Sequence, residues 1–327
     1  MTAITYLDAI SQAIREEMRR DEAVFLLGED VGTYGGAFKV SAGFLEEFGP
    51  ERVIDTPMAE AAIIGSAVGA ALMGMRPIAE MQFIDFITCG FDQIINMASK
   101  MYWRAGMPVP MVIRGPSGGG TKGGPFHSAS PEAWFFHTPG VKVVVPSTTY
   151  DAKGLLKASI RDNNPVLFLE HKLLYRQPEL RAELPEEDYI VPLGKAIVRR
   201  EGEDMTMLTY GAMVYQCLTA ARVLEEQDDL EVEVVDLRSL TPLDRETIME
   251  SVRHTSKVLI VHEDTLTGGI GAELAAILAE ELFEYLDGPI TRVAAPDTPF
   301  PYAPALEAAF LPNAEKILAA ARKLAAY

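Results

Sequence analysis

The sequence predicts an α/β protein of two domains, the first built on a parallel sheet covered by helices on both faces. Three observations lead there. Continuous apolar runs such as Val24-Phe-Leu-Leu27, Val109-Pro-Met-Val-Ile113 and Val166-Leu-Phe-Leu169 alternate with helical patterns, and strands buried on both faces read as unbroken runs. The segment 171–192, with Gln177-Pro-Glu-Leu-Arg-Ala-Glu-Leu-Pro-Glu-Glu-Asp188, is charged, proline-marked and aperiodic, as a linker is. A second alternation of strands and helices follows, and 327 residues exceed a typical single domain. The boundaries expected are 1–185 and 186–327.

The first helix places Leu7, Ile10, Ile14 and Met18 on one face, opened by Thr5 with Asp8 three residues on, a capping pattern. After the strand at 24–27 come the loop Gly28-Glu-Asp-Val-Gly32 and a short helix at 44–48. Thr56-Pro57 then reads as a cap and first helical residue for a helix over 58–73. A reciprocal capping box wants an acid at 59, but Glu60 comes one residue later, so it is not needed as a cap. It reads either as a surface acid favoured by the helix dipole or as a functional carboxyl. A strand at 76–80, a helix at 91–104, a strand at 141–145 and a helix at 151–161 complete the first half. Beyond the linker, strands are expected near 196–198, 205–210, 232–236 and 257–261, with helices at 215–224, 270–286 and 314–324.

Net charge is −18, from 29 basic against 47 acidic residues, which argues against nucleic acid or an anionic membrane as partner. The only cysteines, Cys89 and Cys217, lie far apart in apolar sequence, which fits a reducing compartment. The N-terminus has no basic region followed by an apolar core, and no apolar run is long enough to span a bilayer. A soluble, unprocessed cytosolic chain is expected.

The most particular stretch is Arg114-Gly-Pro-Ser-Gly-Gly-Gly-Thr-Lys-Gly-Gly-Pro-Phe-His127, followed by Ser130-Pro131-Glu132 as a helix start. It leaves a strand end, where ligands sit in open α/β sheets, and its glycines let backbone N–H groups approach a ligand closely. His127 is the side chain there that titrates near neutrality. Gly115-Pro-Ser117-Gly-Gly119 matches the nucleophile elbow of serine hydrolases. The elbow needs a helix directly after the serine, and a run of glycines is a poor helix start. Gly269-Ile-Gly271 suggests a dinucleotide fingerprint, but Leu274 replaces its third glycine, so a plain helix N-terminus accounts for it better.

Taken together, the motifs resemble the β subunits of thiamin-diphosphate-dependent 2-oxo acid dehydrogenases of the pyruvate and branched-chain type. Those that carry the resemblance include Gly28-Glu-Asp-Val31, Arg52-Val-Ile-Asp-Thr-Pro57 with Glu60, and Arg76-Pro-Ile-Ala-Glu80. They continue through Phe91-Asp-Gln-Ile94, Arg114-Gly-Pro116, His127-Ser128, Ile160-Arg-Asp-Asn-Asn-Pro165, Val235-Asp-Leu-Arg238 and Ala295-Pro-Asp-Thr-Pro299. The likeness covers essentially the whole chain, in order.

The resemblance implies a pyrimidine-binding domain followed by a transketolase C-terminal-like domain, and a site shared with an α subunit in an assembly of two α and two β chains. The α subunit holds the diphosphate and Mg²⁺ through a Gly-Asp-Gly motif, which this chain lacks. Glu60 would hydrogen-bond the aminopyrimidine, with Phe86 and Gln82 also at the cofactor. A carboxyl sharing a proton with that ring favours the tautomer that places a base beside the thiamin C–H. His127 would face the bound intermediate and serve reductive acylation of a lipoyl group on the acyltransferase core. A K⁺ site maps to Met111, Ser159, Ile160, Asp162 and Asn164, and carbonyl oxygens suit a hard cation; Asp162-Asn-Asn-Pro165 is also a good turn in its own right. The 2-oxo acid stays open. The alternatives are an acetoin dehydrogenase β subunit, a serine hydrolase at Ser117, and a non-catalytic scaffold subunit.

Overall fold

The structure is a computed structural model that describes residues 3–327, and these divide into two compact units. Of the described residues, the first comprises 3–117 and Trp134–Leu193; the second comprises Gly118–Ala133 and Gly194–Tyr327. The glycine-rich loop therefore leaves a strand of the first unit and packs with the second.

The first unit runs α1 (Tyr6–Arg20), β1 (Val24–Gly28), α2 (Phe44–Phe48), β2 (Val53–Asp55), α3 (Glu60–Leu72), β3 (Arg76–Glu80), α4 (Met101–Ala105) and β4 (Val112–Ser117). After α5 (Glu132–Phe136) come β5 (Lys142–Val144), α6 (Thr149–Arg161) and β6 (Val166–His171). Its strands lie in the order β5-β6-β4-β3-β1-β2, all parallel, as the unbroken apolar runs predict. Every residue of β1, β4 and β6 is buried. Thr5 and Asp8 form the expected capping box at α1, and α1 packs along α6. That contact contains a half-buried ion pair, Arg161 to the buried Glu17 at 2.6 Å.

Two first-half expectations need correction. The helix expected over 91–104 is broken into a π-helical turn at Gln93–Ala98 and α4, and a 3-10 segment at Ile84–Gly90 precedes it. Cys89 is exposed, not apolar-packed, while Cys217 is buried. The linker is also tied down, with Asp188 paired to Lys157 at 2.5 Å and to Arg161 at 2.9 Å.

The second unit runs β7 (Ile197–Arg200), β8 (Met205–Thr209), α7 (Met213–Asp228), β9 (Val232–Asp236), β10 (Ser239–Thr241), α8 (Arg245–Thr255) and β11 (Val258–Thr265). It ends with α9 (Ile270–Leu282), β12 (Thr291–Ala295), α10 (Pro304–Phe310) and α11 (Ala314–Ala325). Its sheet has the order β12-β11-β8-β9-β7, parallel except for the edge strand β7. The two glycines of Gly269-Ile-Gly271 have a packing reason. A Cβ at either position would stand 2.6 Å from the buried His262 ring, on Cε1 or on Nε2. No helix among the described residues is long and apolar enough to cross a membrane.

Candidate active site

Glu60 is the first residue of α3, and its cap position is Ala59, which offers no side-chain hydrogen bond. The expected cap at Thr56 is therefore wrong. Residues 57–59 are not helical and α3 begins only at Glu60, so the Thr56 side chain is too far back to reach its first turn, and its hydroxyl is buried without a partner. Glu60 keeps a partly exposed side chain in the first turn, where free backbone N–H groups favour a negative charge. It also faces a second acid. Burial, and then the negative charges of Glu60 and Asp30, raise the Glu29 carboxyl above its ordinary value.

Gln82 lies on the chain that leaves β3 and Phe86 lies within the 3-10 segment Ile84–Gly90, both partly exposed. The Phe83 and Phe86 rings meet edge to face, with centroids 6.4 Å apart and planes at 87°. The segment packs against the start of α3: a Cβ on Gly90 would lie 2.3 Å from Ile64 Cδ1 and 3.3 Å from the Glu60 carbonyl. Glu60 thus borders the segment that carries Phe86. Beneath it, the carboxyl ends of three strands are fixed by a buried ion cluster. Arg114 of β4 binds Glu170 of β6 through two hydrogen bonds of 2.5 Å and also binds Glu80 of β3. Tyr175 donates to Glu170 at 2.7 Å. A carboxyl, an aromatic pair and a side-chain amide are the kinds of group that a flat heteroaromatic ring would need: a proton partner, a face to pack on and a hydrogen bond.

Ser117 ends β4, and Gly118 (φ 78°) and Gly120 (φ 80°) follow in left-handed backbone with no helix. That geometry is not a nucleophile elbow. Three N–H groups of the loop are taken by carboxylates of the second unit. Gly119 donates to Glu263, and Gly120 and Lys122 donate to Glu307. His127 follows the 3-10 turn Gly124–Phe126 and is half-buried. Glu132, five residues on, is buried and accepts a hydrogen bond from Tyr210 at 2.7 Å. Glu29, Glu263 and Glu307 were not singled out from sequence; only Glu29 lies in a motif that could have drawn attention.

Buried titrating groups in the second unit carry a stability signature. Burial, with the charges of Asp264 and Glu263, lifts Glu132 to about 8. Burial lowers His262 to about 4 and raises Asp264 to about 6. The stability contributed by neutral His262 is complete above its ordinary 6.5 and is lost as pH falls towards 4. Glu132 has the opposite sign: its contribution is present below its ordinary 4.5 and is lost as pH rises through 8. Between about pH 6.5 and 8, Glu132 is the main one of the three still changing, at a cost of roughly 2 kcal/mol. Glu132→Gln cannot ionise, so calorimetric melting should show a smaller fall across this window than in the wild type.

The oxygens of the expected K⁺ set are already engaged. Arg76 donates to the carbonyls of Ile160 and Asp162, at 2.9 Å each. The Asp162 carboxylate binds Lys142 at 2.5 Å and the Asn164 backbone N–H at 2.8 Å. The Ser159 and Met111 carbonyls accept from Asp162 and Val166. An ion there would share its ligands with a guanidinium.

Two family models match in order: the transketolase pyrimidine-binding domain over residues 2–178 and the transketolase C-terminal domain over 194–317. The chain is 53% identical to 2-oxoisovalerate dehydrogenase subunit beta of Bacillus subtilis, over 100% of both chains. It is 46% identical to pyruvate dehydrogenase E1 component subunit beta of the same organism, over 99% of each. A solved structure described as a split gene transketolase, inactive beta4 tetramer, superposes with a TM-score of 0.81 at 25% identity, covering 99% of each chain. The chain therefore belongs to the transketolase-type family and, within it, to the β subunits of the 2-oxo acid dehydrogenase E1 components.

Proposed function

We propose that this chain, with an α subunit, forms a thiamin-diphosphate-dependent 2-oxo acid dehydrogenase that decarboxylates its substrate and passes the acyl group to a lipoyl group on an acyltransferase core. The observation that carries the reading is Glu60 at the start of α3, bordering the segment of Phe86. When bound, the cofactor would supply carbanion stabilisation at the carbon that loses the carboxyl group. Glu60 holds and returns a proton at the pyrimidine ring nitrogen. Phe86 would pack the ring, and Gln82 would also contact the cofactor. Arg114 with Glu80 and Glu170 keeps the strand ends that carry these residues in place. The diphosphate and Mg²⁺ fall to the α subunit, since this chain has no Gly-Asp-Gly motif and its glycine-rich loop gives its N–H groups to Glu263 and Glu307. His127 positions the lipoyl group or moves its proton. K⁺ binding at the Met111, Ser159, Ile160, Asp162 and Asn164 corner means sharing carbonyls with Arg76. Two α and two β chains in the cytosol are the proposed setting.

For the substrate we favour a branched-chain 2-oxo acid over pyruvate, on the 53% identity to a 2-oxoisovalerate dehydrogenase β subunit against 46% to a pyruvate dehydrogenase one. A panel assayed with the reconstituted complex and an artificial electron acceptor tests this. Higher kcat/KM for 2-oxoisovalerate is expected; a preference for pyruvate overturns the substrate assignment, and inactivity on all 2-oxo acids overturns the function.

A further inference from the structure

The loop Gly118–Ala133 carries His127, yet its course is set by two carboxylates far along the chain. Glu263 of β11 accepts the N–H of Gly119 at 2.5 Å and the Ser130 hydroxyl at 3.4 Å. Glu307 of α10 accepts the N–H of Gly120 at 3.0 Å and of Lys122 at 3.2 Å. Both glutamates are buried, at 7% and 5% exposure, where a hydrogen bond to a charged acceptor is strong.

His127 therefore lies between two held ends, Gly119–Lys122 before it and Ser130 with Glu132 after it. The glycines allow the loop to lie close. A Cβ at Gly119 would stand 2.3 Å from Phe300 Cζ, and one at Gly124 would stand 2.4 Å from Tyr302 Cδ2. A run this rich in glycine has many backbone states open to it, and four carboxylate-directed bonds remove most of them.

We propose that Glu263 and Glu307 are positioning residues for the E1 reaction: they fix the backbone of this loop so that His127 stands in one place during transfer to the lipoyl group. The proposal rests on the role given to His127 above. Their part is to position: the Oε1 atom of each takes two loop donors, Gly119 and Ser130 on Glu263, Gly120 and Lys122 on Glu307.

The test uses the complex reconstituted with its partner subunit. Hydrogen–deuterium exchange over 118–127 is followed beside reductive acylation and beside decarboxylation with an artificial electron acceptor. Glu307→Ala should speed exchange at Gly120 and Lys122 at least ~10-fold and slow acylation by roughly 10-fold relative to decarboxylation. Glu307→Gln keeps an acceptor oxygen and should restore both towards wild type. The Glu263→Ala and Glu263→Gln pair should repeat the pattern at Gly119, and serves alone if Glu307→Ala does not fold. Unchanged exchange, faster exchange with unchanged acylation, or no rescue by glutamine overturns the proposal. Slow alanine variants beside a His127→Ala that acylates normally support the hold on the loop and contradict the histidine's role, so the two failures are distinguishable.

Discussion

Glu60→Gln is expected to slow deuterium exchange at the thiamin C–H in the reconstituted complex by roughly 100- to 10,000-fold, the range of general acid–base contributions. Glutamine keeps the volume and one hydrogen bond but cannot exchange a proton with the ring. The fold should be little affected. Glu60 caps nothing, its side chain is partly exposed, and its charge opposes that of Glu29, so the stability change should stay within about 1 kcal/mol. Exchange at the wild-type rate, with cofactor saturating, would show that Glu60 does not activate the cofactor.

His127→Ala separates the two half-reactions. Its loop belongs with the second unit, whereas Glu60 and Phe86 belong with the first, so removing the imidazole should leave cofactor activation in place. Acylation of a lipoyl domain should fall by about 100-fold or more, while decarboxylation with an artificial acceptor changes far less. Equal losses in the two assays would place His127 in a step common to both.

How far the fold can be read from the sequence depends on the range of the interaction involved. The capping box of α1 and the apolar runs of β1, β4 and β6 are local, and they appear as expected. Pro57 misled the start of α3, because proline at a first helical position and proline in a preceding turn look the same until the backbone is seen. The break of 91–104 into a π-helical turn and a short α-helix has no local mark in an apolar helical pattern. The helix α8 carries a readable cap at Asp244, but the sequence reading made no assignment there. Glu60 and His127 stand out in their local sequence, but their roles, and Phe86 altogether, are visible only through the resemblance of whole motifs. The glutamates that hold the loop were not visible at all: 144 residues separate Gly119 from Glu263, and 187 separate Gly120 from Glu307. No spacing rule reaches across that distance, and a buried glutamate on a strand or helix looks like any other acid in a chain with 47 of them.

The central claim is that this chain holds one end of a cofactor whose other end belongs to its partner. Isothermal titration of thiamin diphosphate with Mg²⁺ measures this directly, using the isolated chain and then the complex with the α subunit. The account predicts tight, saturable binding by the complex and at least ~100-fold weaker binding by the chain alone, because the isolated chain lacks the charge-assisted contacts to the diphosphate. Equally tight binding by the isolated chain would contradict it.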